Sequence, residues 1–91
     1  MLLSDEEIDG RLRDLDGWER EGDAIARSFD RGDFVGSVRF VDAIVPPAEE
    51  LGHHPDIEIS WSTVRVRITT HSEGGLTEAD FELARRIDAI A

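Results

Sequence analysis

An alternation of apolar and polar residues between positions 57 and 69 constrains the fold of this chain more than any other feature. The first half of the pattern runs Ile57, Glu58, Ile59, Ser60, Trp61. After Ser62-Thr63, the second half runs Val64, Arg65, Val66, Arg67, Ile68, Thr69. Successive side chains of a strand point to opposite faces, so each half is typical of a half-buried β-strand. The pattern predicts an antiparallel hairpin whose polar face stays solvated or meets a partner.

The residues before this hairpin predict one helix and two further strands. Ser4 and Glu7 match a capping box, in which each residue binds a free backbone N–H of the other. Apolar residues then recur at helical spacing and predict a helix over 5–15. Two short segments, 17–20 and 24–30, follow on either side of a tight turn and are predicted to be strands.

A second helix is predicted to begin after Asp33, which is a suitable N-cap. Its predicted apolar face consists of Phe34, Val38, Val41 and Val45, with Phe40 and Ile44 beside them. Pro46-Pro47 interrupts the pattern, because proline lacks a backbone N–H and clashes with the preceding turn. The helix is therefore expected either to kink there or to end near Ile44 and restart, with Gly52 closing it.

The last segment predicts a third helix. Residues 72–75 form a glycine-containing stretch that is expected to be a flexible loop. Thr77–Asp80 resembles a capping box, and an apolar stripe follows: Phe81, Leu83, Ala84, Ile87, Ile90 and Ala91. The element order is αββαββα within a single domain, 1–91. It predicts an α+β two-layer sandwich, in which a four-stranded antiparallel sheet carries three helices on one face.

The charge of the chain excludes some classes of partner. It has 21 acidic residues and 10 basic ones, all of them Arg, giving a formal net charge of −11. Such a surface repels nucleic acids and anionic membranes. It could bind a basic partner, but a solvated acidic surface is the simpler interpretation. Because dissolved salt screens carboxylate repulsion, the composition favours a halophile-like protein of a salt-rich cytoplasm.

Other sequence features indicate a cytoplasmic protein without thiol chemistry. The chain has no cysteine, which excludes disulfides and thiol catalysis. The first residues, Met1-Leu2-Leu3, lead directly into acidic residues without the basic and apolar regions of a signal peptide. No apolar run reaches the length of a membrane span. A cytoplasmic location is therefore expected.

All three histidines fall where the predicted hairpin begins and ends. His53-His54-Pro55 lies at a helix-to-strand junction, and His71 follows the last strand. A regular hairpin would return Thr70 and His71 towards Pro55. Histidine exchanges protons near neutral pH, so such a cluster can perform acid–base chemistry. Glu49, four residues before His53, could orient a ring or bind a substrate amine.

The residues alone leave three interpretations open. The histidines could be ordinary surface residues beside a loop proline. They could hold zinc together with a carboxylate, although adjacent ligands in such a turn are awkward and no HxH or HxxxH spacing exists. They could also catalyse proton transfer on a small polar molecule. Asp80 could bind a substrate, but its helix-start position favours a capping function. Trp18 and Trp61 could stack on a ring, although core positions are the more common use of tryptophan in a small domain.

Taken together, these motifs resemble the pterin-4a-carbinolamine dehydratase family. The resemblance rests on an acidic residue before HHP, a strand pair, a TH dipeptide and a GLT-x-x-D segment: Glu49, His53-His54-Pro55, Thr70-His71 and Gly75–Asp80. It extends over nearly the whole chain. Two departures are Pro46-Pro47, where the family usually has continuous helix, and Trp61, where Tyr is more common.

The resemblance implies a hydro-lyase that dehydrates 4a-hydroxytetrahydrobiopterin to quinonoid dihydropterin without a metal or organic cofactor. It makes His53 and His71 candidate acids on opposite faces of the pterin, with His54 positioning the ring. It makes Glu49, Pro55, Thr70 and Asp80 candidate substrate-binding residues. Family members are homodimers or homotetramers built through sheet edges and helices. The alternative is a non-catalytic pterin-binding or protein-assembly module of the same fold.

Overall fold

The computed structural model describes residues 1–91 and has the predicted order of elements. The helices are α1 (Asp5–Leu12), α2 (Phe34–Leu51) and α3 (Glu78–Ile90). The strands are β1 (Glu19–Glu21), β2 (Ala24–Asp30), β3 (Asp56–Ser60) and β4 (Thr63–Ile68). They form one antiparallel sheet in the order β1-β2-β4-β3. The predicted α+β fold is therefore confirmed.

The first turn of α1 shows the capping box that the sequence predicts. The Ser4 hydroxyl accepts a hydrogen bond from the Glu7 N–H, and the Glu7 carboxylate accepts one from the Ser4 N–H. These bonds, with the Ser4 backbone contributing most, lower the pKa of Glu7. The helix ends three residues earlier than predicted, because the N–H groups of Asp14 and Leu15 bond three residues back and tighten the last turn.

One core joins the apolar face of the sheet to all three helices. Sixteen buried apolar residues form this cluster. The sheet contributes Ile25, Phe29, Val64, Val66 and Ile68, and the helices contribute Ile8, Phe40, Ile44, Ala48, Phe81, Leu83, Ala84 and Ile87. Trp18 is also in this core, as expected. No helix combines the length and the apolar character needed to cross a membrane.

Helix α2 runs without interruption through Pro46 and Pro47 to Leu51. Neither proline has a backbone N–H, so the helix lacks two of its usual hydrogen bonds at this point. Gly52 ends the helix with a φ of 60°, a left-handed conformation that favours glycine. The helix does not end near Ile44, and Glu49 therefore stays on its last turn.

Helix α2 buries a different stripe from the predicted face. Its buried residues are Ser37, Phe40, Ile44 and Ala48. In contrast, Phe34, Val38 and Val45 are exposed to 56%, 39% and 52%. The helix thus has two neighbouring apolar stripes, and periodicity could not decide which of them faces the sheet.

The hairpin turn also differs from the prediction. Trp61 was expected in the strand and in the core, but it opens a two-residue turn and is 71% exposed. Its φ of 50° lies in the left-handed region, which is unfavourable for a bulky residue. The Ser37 hydroxyl holds this turn by donating to the Trp61 carbonyl at 2.6 Å. Thr69, expected on the solvated face, is buried and donates to the Asp23 carbonyl.

Candidate active site

The three histidines lie at the end of the sheet where β3 begins and β4 ends. Antiparallel pairing places Asp56 opposite Arg67, so the chain leaving β4 returns to the start of β3. His71 lies in the short 3-10 turn that follows β4, while His53 and His54 lie between α2 and β3. The pairing therefore brings His71 beside the residue that follows His53-His54-Pro55.

A buried hydrogen-bond network surrounds Asp80, which has no exposed surface. Nε2 of His53 lies 2.6 Å from its Oδ1 atom. Oδ2 accepts a hydrogen bond from the Thr70 hydroxyl at 2.8 Å and one from the Thr77 N–H at 2.8 Å. The Thr77 hydroxyl lies 2.9 Å from the Thr70 hydroxyl and completes the network. Asp80 therefore connects the start of α3 to both the histidine pair and the TH dipeptide.

The contact with Asp80 engages one of the two ring nitrogens of His53. A carboxylate accepts hydrogen bonds, so a hydrogen bond here has Nε2 of His53 as its donor. The other ring nitrogen, Nδ1, is then the atom available for proton exchange. Asp80 is buried, and its carboxylate oxygens bond to the side chains of His53 and Thr70 and to the Thr77 N–H. Its candidate function in substrate binding stays a prediction.

His54 pairs with Glu49. Its Nε2 atom lies 2.5 Å from Oε2 of Glu49. Both side chains are about two-thirds exposed, at 65% and 66%. The uninterrupted course of α2 through its two prolines points Glu49 towards the histidine. This pair lies at the surface, whereas the His53–Asp80 pair is buried.

His71 is the most exposed histidine and has the loosest contact with a carboxylate. Its Nε2 atom lies 4.0 Å from Oδ2 of Asp56, and its side chain is 77% exposed. The turn that carries it is held at both ends by backbone contacts. Thr70 and Gly75 form a bridge, and the Leu3 N–H donates to the Leu76 carbonyl at 2.9 Å. The segment expected to be flexible is therefore tied to the N-terminal residues.

Each histidine thus has its own carboxylate, and no hydrogen bond joins one imidazole ring to another. The contacts nevertheless form a closed circuit. Asp80 bonds to both His53 and Thr70. The residue after Thr70 is His71, which lies near Asp56. Pro55 links Asp56 to His54 along the chain. No group of three His, Cys, Asp or Glu side chains converges closely enough to hold a metal ion.

Asp56 is a neighbour of His71 that the sequence motifs did not reveal. It follows Pro55 directly and opens β3. A signal was present, because Asp56, Arg67 and His71 fall on the polar face once the strand register is known. That register follows from the position of the hairpin turn, which lies at Trp61-Ser62. The sequence predicted the turn at Ser62-Thr63, one residue later. A one-residue error in the turn changes which side chains lie opposite each other.

Two cavities flank the histidine segment. One, of about 240 Å³, opens on the polar face of the sheet and is lined by Glu21, Asp56, Ile57, Glu58, Arg65 and Arg67. The other, of about 150 Å³, lies beside α2 and is mostly apolar, lined by Val41, Ile44, Val45, Ala48, Glu49, His54, Pro55 and Ile57. Pro55 and the Glu49–His54 pair line the apolar cavity, whereas Asp56 lines the charged one. A cavity therefore lies on each side of this segment.

Known proteins resemble this chain over its whole length. The family model described as "Pterin 4 alpha carbinolamine dehydratase" matches residues 1–90. A protein of Nocardia farcinica named "Putative pterin-4-alpha-carbinolamine dehydratase" is 49% identical over 90 residues, covering 99% of this chain and 95% of the relative. A protein of the same name from Thermosynechococcus vestitus is 46% identical over 89 residues, covering 98% of this chain and 94% of the relative.

Solved structures extend the comparison to the fold. A protein of Brucella melitensis described as a transcriptional coactivator/pterin dehydratase superposes with a TM-score of 0.95 at 40% identity, covering 100% of this chain and 99% of that one. A pterin dehydratase-like protein described as a RuBisCO assembly factor of the α-carboxysome superposes with a TM-score of 0.69 at 27% identity, covering 82% and 89%. On this evidence of sequence and fold, the chain belongs to the pterin-4a-carbinolamine dehydratase family.

Proposed function

We propose that this protein is a hydro-lyase that dehydrates 4a-hydroxytetrahydrobiopterin to quinonoid dihydropterin by histidine acid–base catalysis. In this reaction the bond between ring carbon C4a and its hydroxyl oxygen breaks, ring nitrogen N5 loses a proton, and a C4a–N5 double bond forms. The enzyme must supply one proton to the departing hydroxyl and accept one from N5. The observation that carries the proposal is the hydrogen bond between His53 and the buried carboxylate of Asp80.

We assign the proton transfer at N5 to His53. A histidine held by a buried carboxylate through one nitrogen is the arrangement of a general base and its orienting partner. Asp80 fixes the ring so that Nδ1 faces the ligand, and it stabilises the imidazolium that forms when Nδ1 accepts a proton. The resemblance suggested an acid at both His53 and His71, and the contact with Asp80 favours the base function for His53.

The remaining residues complete the assignment. His71, which is exposed and lies near Asp56, donates the proton to the departing hydroxyl. His54 and Glu49 form a polar pair beside the apolar cavity and position the pterin ring. Pro55 contributes an apolar surface there, and Thr70 holds Asp80 and the nearby backbone that faces the pterin edge. Loss of water changes no oxidation state, so these side chains are sufficient for the reaction.

We also propose that the protein assembles as a homodimer or homotetramer. Phe34, Val38 and Val45 are exposed on α2, and together with the partly buried Val41 they form an apolar stripe that has the 4-3-4 spacing of a helix-pairing seam. β3 is an edge strand with one unpaired side, and Ile59 and Trp61 are exposed beside it. The seam itself carries no charge, so two copies with a net charge of −11 can approach each other there. The two surfaces together are sufficient for a dimer of dimers.

The composition supports a proposal about the environment in which the protein works. The acidic surface favours a salt-rich cytoplasm, where dissolved ions screen the repulsion between its carboxylates.

A non-catalytic assembly module is the second candidate function, because the pterin dehydratase-like structure with 27% identity is described as a RuBisCO assembly factor. The higher identity of 40% and the TM-score of 0.95 with the coactivator/pterin dehydratase structure favour the enzyme.

The proposal is tested by dehydration of synthetic 4a-hydroxytetrahydropterin in high salt, followed spectrophotometrically against the spontaneous reaction. The wild type is compared with a His53→Gln/His71→Gln double variant. Glutamine at position 53 keeps an amide N–H for Asp80 but cannot exchange protons. We expect at least about 100-fold faster turnover by the wild type, since positioned proton transfer contributes roughly 10²–10⁴-fold. Equal rates for both proteins would leave the assembly module as the better explanation.

A further inference from the structure

We propose that Asp56 is a catalytic residue, which together with His71 binds the hydroxyl group that the substrate loses. This inference rests on the proposed dehydratase function. His53 and His54 each contact a carboxylate directly, at 2.6 Å and 2.5 Å. In the third pair, Nε2 of His71 and Oδ2 of Asp56 are 4.0 Å apart. The third pair therefore differs from the other two because its members are far enough apart for a ligand atom to bind to both.

A separation of 4.0 Å is too long for a hydrogen bond, but it suits two groups that share one oxygen atom between them. An oxygen placed to one side of the line can lie about 2.8 Å from both atoms. A hydroxyl group has one proton to donate and lone pairs to accept. It can donate to the carboxylate of Asp56 while it accepts from Nε2 of His71. This arrangement turns a lone pair of the oxygen towards the histidine that protonates it.

Neighbouring charges hold Asp56 in this position. Nη1 of Arg67, the cross-strand neighbour of Asp56, lies 3.9 Å from the same Oδ2 atom. Arg67 is itself anchored through its Nε atom to Glu21 on β1 at 3.2 Å. The carboxylate of Asp56 thus lies between a guanidinium and an imidazole on the polar face of the sheet. Asp56 also lines the cavity of about 240 Å³ on this face of the sheet.

The proposed step is balanced without a further reactant. His71 transfers its proton to the hydroxyl oxygen as the C4a–O bond breaks. The electrons of the N5–H bond form the C4a–N5 double bond, and the N5 proton passes to His53. The product water keeps its hydrogen bond to Asp56 until it leaves. Asp56 exchanges no proton in this step and supplies an acceptor for a hydroxyl that becomes more acidic as it is protonated.

Glu58 provides a matched control for this inference. It lies on the same strand two residues further along, lines the same cavity, and has no hydrogen bond or ion pair with a histidine. The test compares kcat and KM for the wild type, Asp56→Ala, Asp56→Asn and Glu58→Ala. Binding of 7,8-dihydropterin, which has no 4a-hydroxyl group, is measured in parallel by fluorescence quenching.

We expect Asp56→Ala to lower kcat by about 10- to 100-fold, the effect of losing one hydrogen bond to a charged group. Asp56→Asn keeps an acceptor oxygen and should lose less, and Glu58→Ala should change kcat by less than about twofold. All four proteins should bind 7,8-dihydropterin equally. If Asp56→Ala and Glu58→Ala have equal kcat, or if Asp56→Ala loses 7,8-dihydropterin binding in proportion to kcat, the inference is wrong. A wild type without activity would instead refute the proposed function on which it rests.

Discussion

Nε2 of His53 and Oδ1 of Asp80 are 2.6 Å apart, and they join the C-terminal side of α2 to the first turn of α3. The carboxylate also accepts hydrogen bonds from Thr70 and Thr77. One buried side chain thus belongs to the capping box at the start of α3, in which Thr77 is the N-cap, and also contacts a histidine. Helix capping and histidine positioning therefore depend on the same group.

Replacement of Asp80 should affect both stability and catalysis. Asp80→Ala removes three hydrogen bonds and leaves their buried donors unpaired, so we expect a loss of about 3 kcal/mol in the free energy of unfolding. Thr70→Val removes one of these bonds together with the contact to the Thr77 hydroxyl, and it should cost about 2 kcal/mol. Urea denaturation in constant salt measures both values. Equal stability of the two variants would show that Asp80 does not hold the network together.

The exposed stripe of α2 should control assembly. Val38→Asp places a charge in the seam, where a second copy would have to bury it, so we expect this variant to be a monomer. Ala43→Asp adds the same charge at another exposed position of α2 outside the seam and should leave assembly unchanged. Light scattering coupled to size-exclusion chromatography measures the mass of each protein. A monomeric wild type, or an assembled Val38→Asp variant, would contradict the proposed seam.

The backbone at Trp61 should store strain that another residue can relieve. Its φ of 50° is unfavourable for a bulky side chain, whereas asparagine tolerates this region. In the monomeric Val38→Asp background, where assembly no longer contributes, Trp61→Asn should raise the free energy of unfolding by about 1 kcal/mol. Chemical denaturation provides the measurement. A destabilised variant would mean that the exposed indole contributes packing within its own chain.

The acidic surface should make stability depend on salt. With a net charge of −11, screening by KCl should raise the free energy of unfolding as the salt concentration increases. The triple variant Glu6→Gln/Asp9→Asn/Asp14→Asn removes three exposed charges that have no ion-pair partner, so its stability should rise less steeply with KCl. Thermal unfolding at several KCl concentrations tests both expectations. Full stability of the wild type at low salt would contradict them.

The fold was predictable where one periodicity dominated. The alternation from Ile57 to Ile68 defined the central hairpin, and its two ends indicated that Thr70-His71 would return towards His53-His54-Pro55. The face of α2 was not predictable, because two apolar stripes satisfy the same helical period. The position of Trp61 was missed because its turn lacks the glycine or asparagine that usually marks a positive φ.

The candidate site was predictable in its residues but not in its pairings. The spacing along the chain indicated that Glu49 could orient a ring, but not that the ring would be that of His54. Asp80 and His53 are 27 residues apart in the sequence. Their contact follows from the packing of α3 against α2, which the sequence pattern does not specify. Asp56 was missed because its proximity to His71 depends on the register of the hairpin, which a one-residue shift in the turn alters.

The steady-state rate of dehydration by three single variants, His53→Gln, His54→Gln and His71→Gln, tests the assignment of roles most directly. We predict that His53→Gln and His71→Gln each lower kcat by about 100-fold or more with little change in KM, because each removes a proton-transfer group. His54→Gln should mainly raise KM, because it loosens ring positioning without removing a transferred proton. A set in which His54→Gln shows the largest fall in kcat, or in which all three variants retain wild-type kcat, would contradict the account.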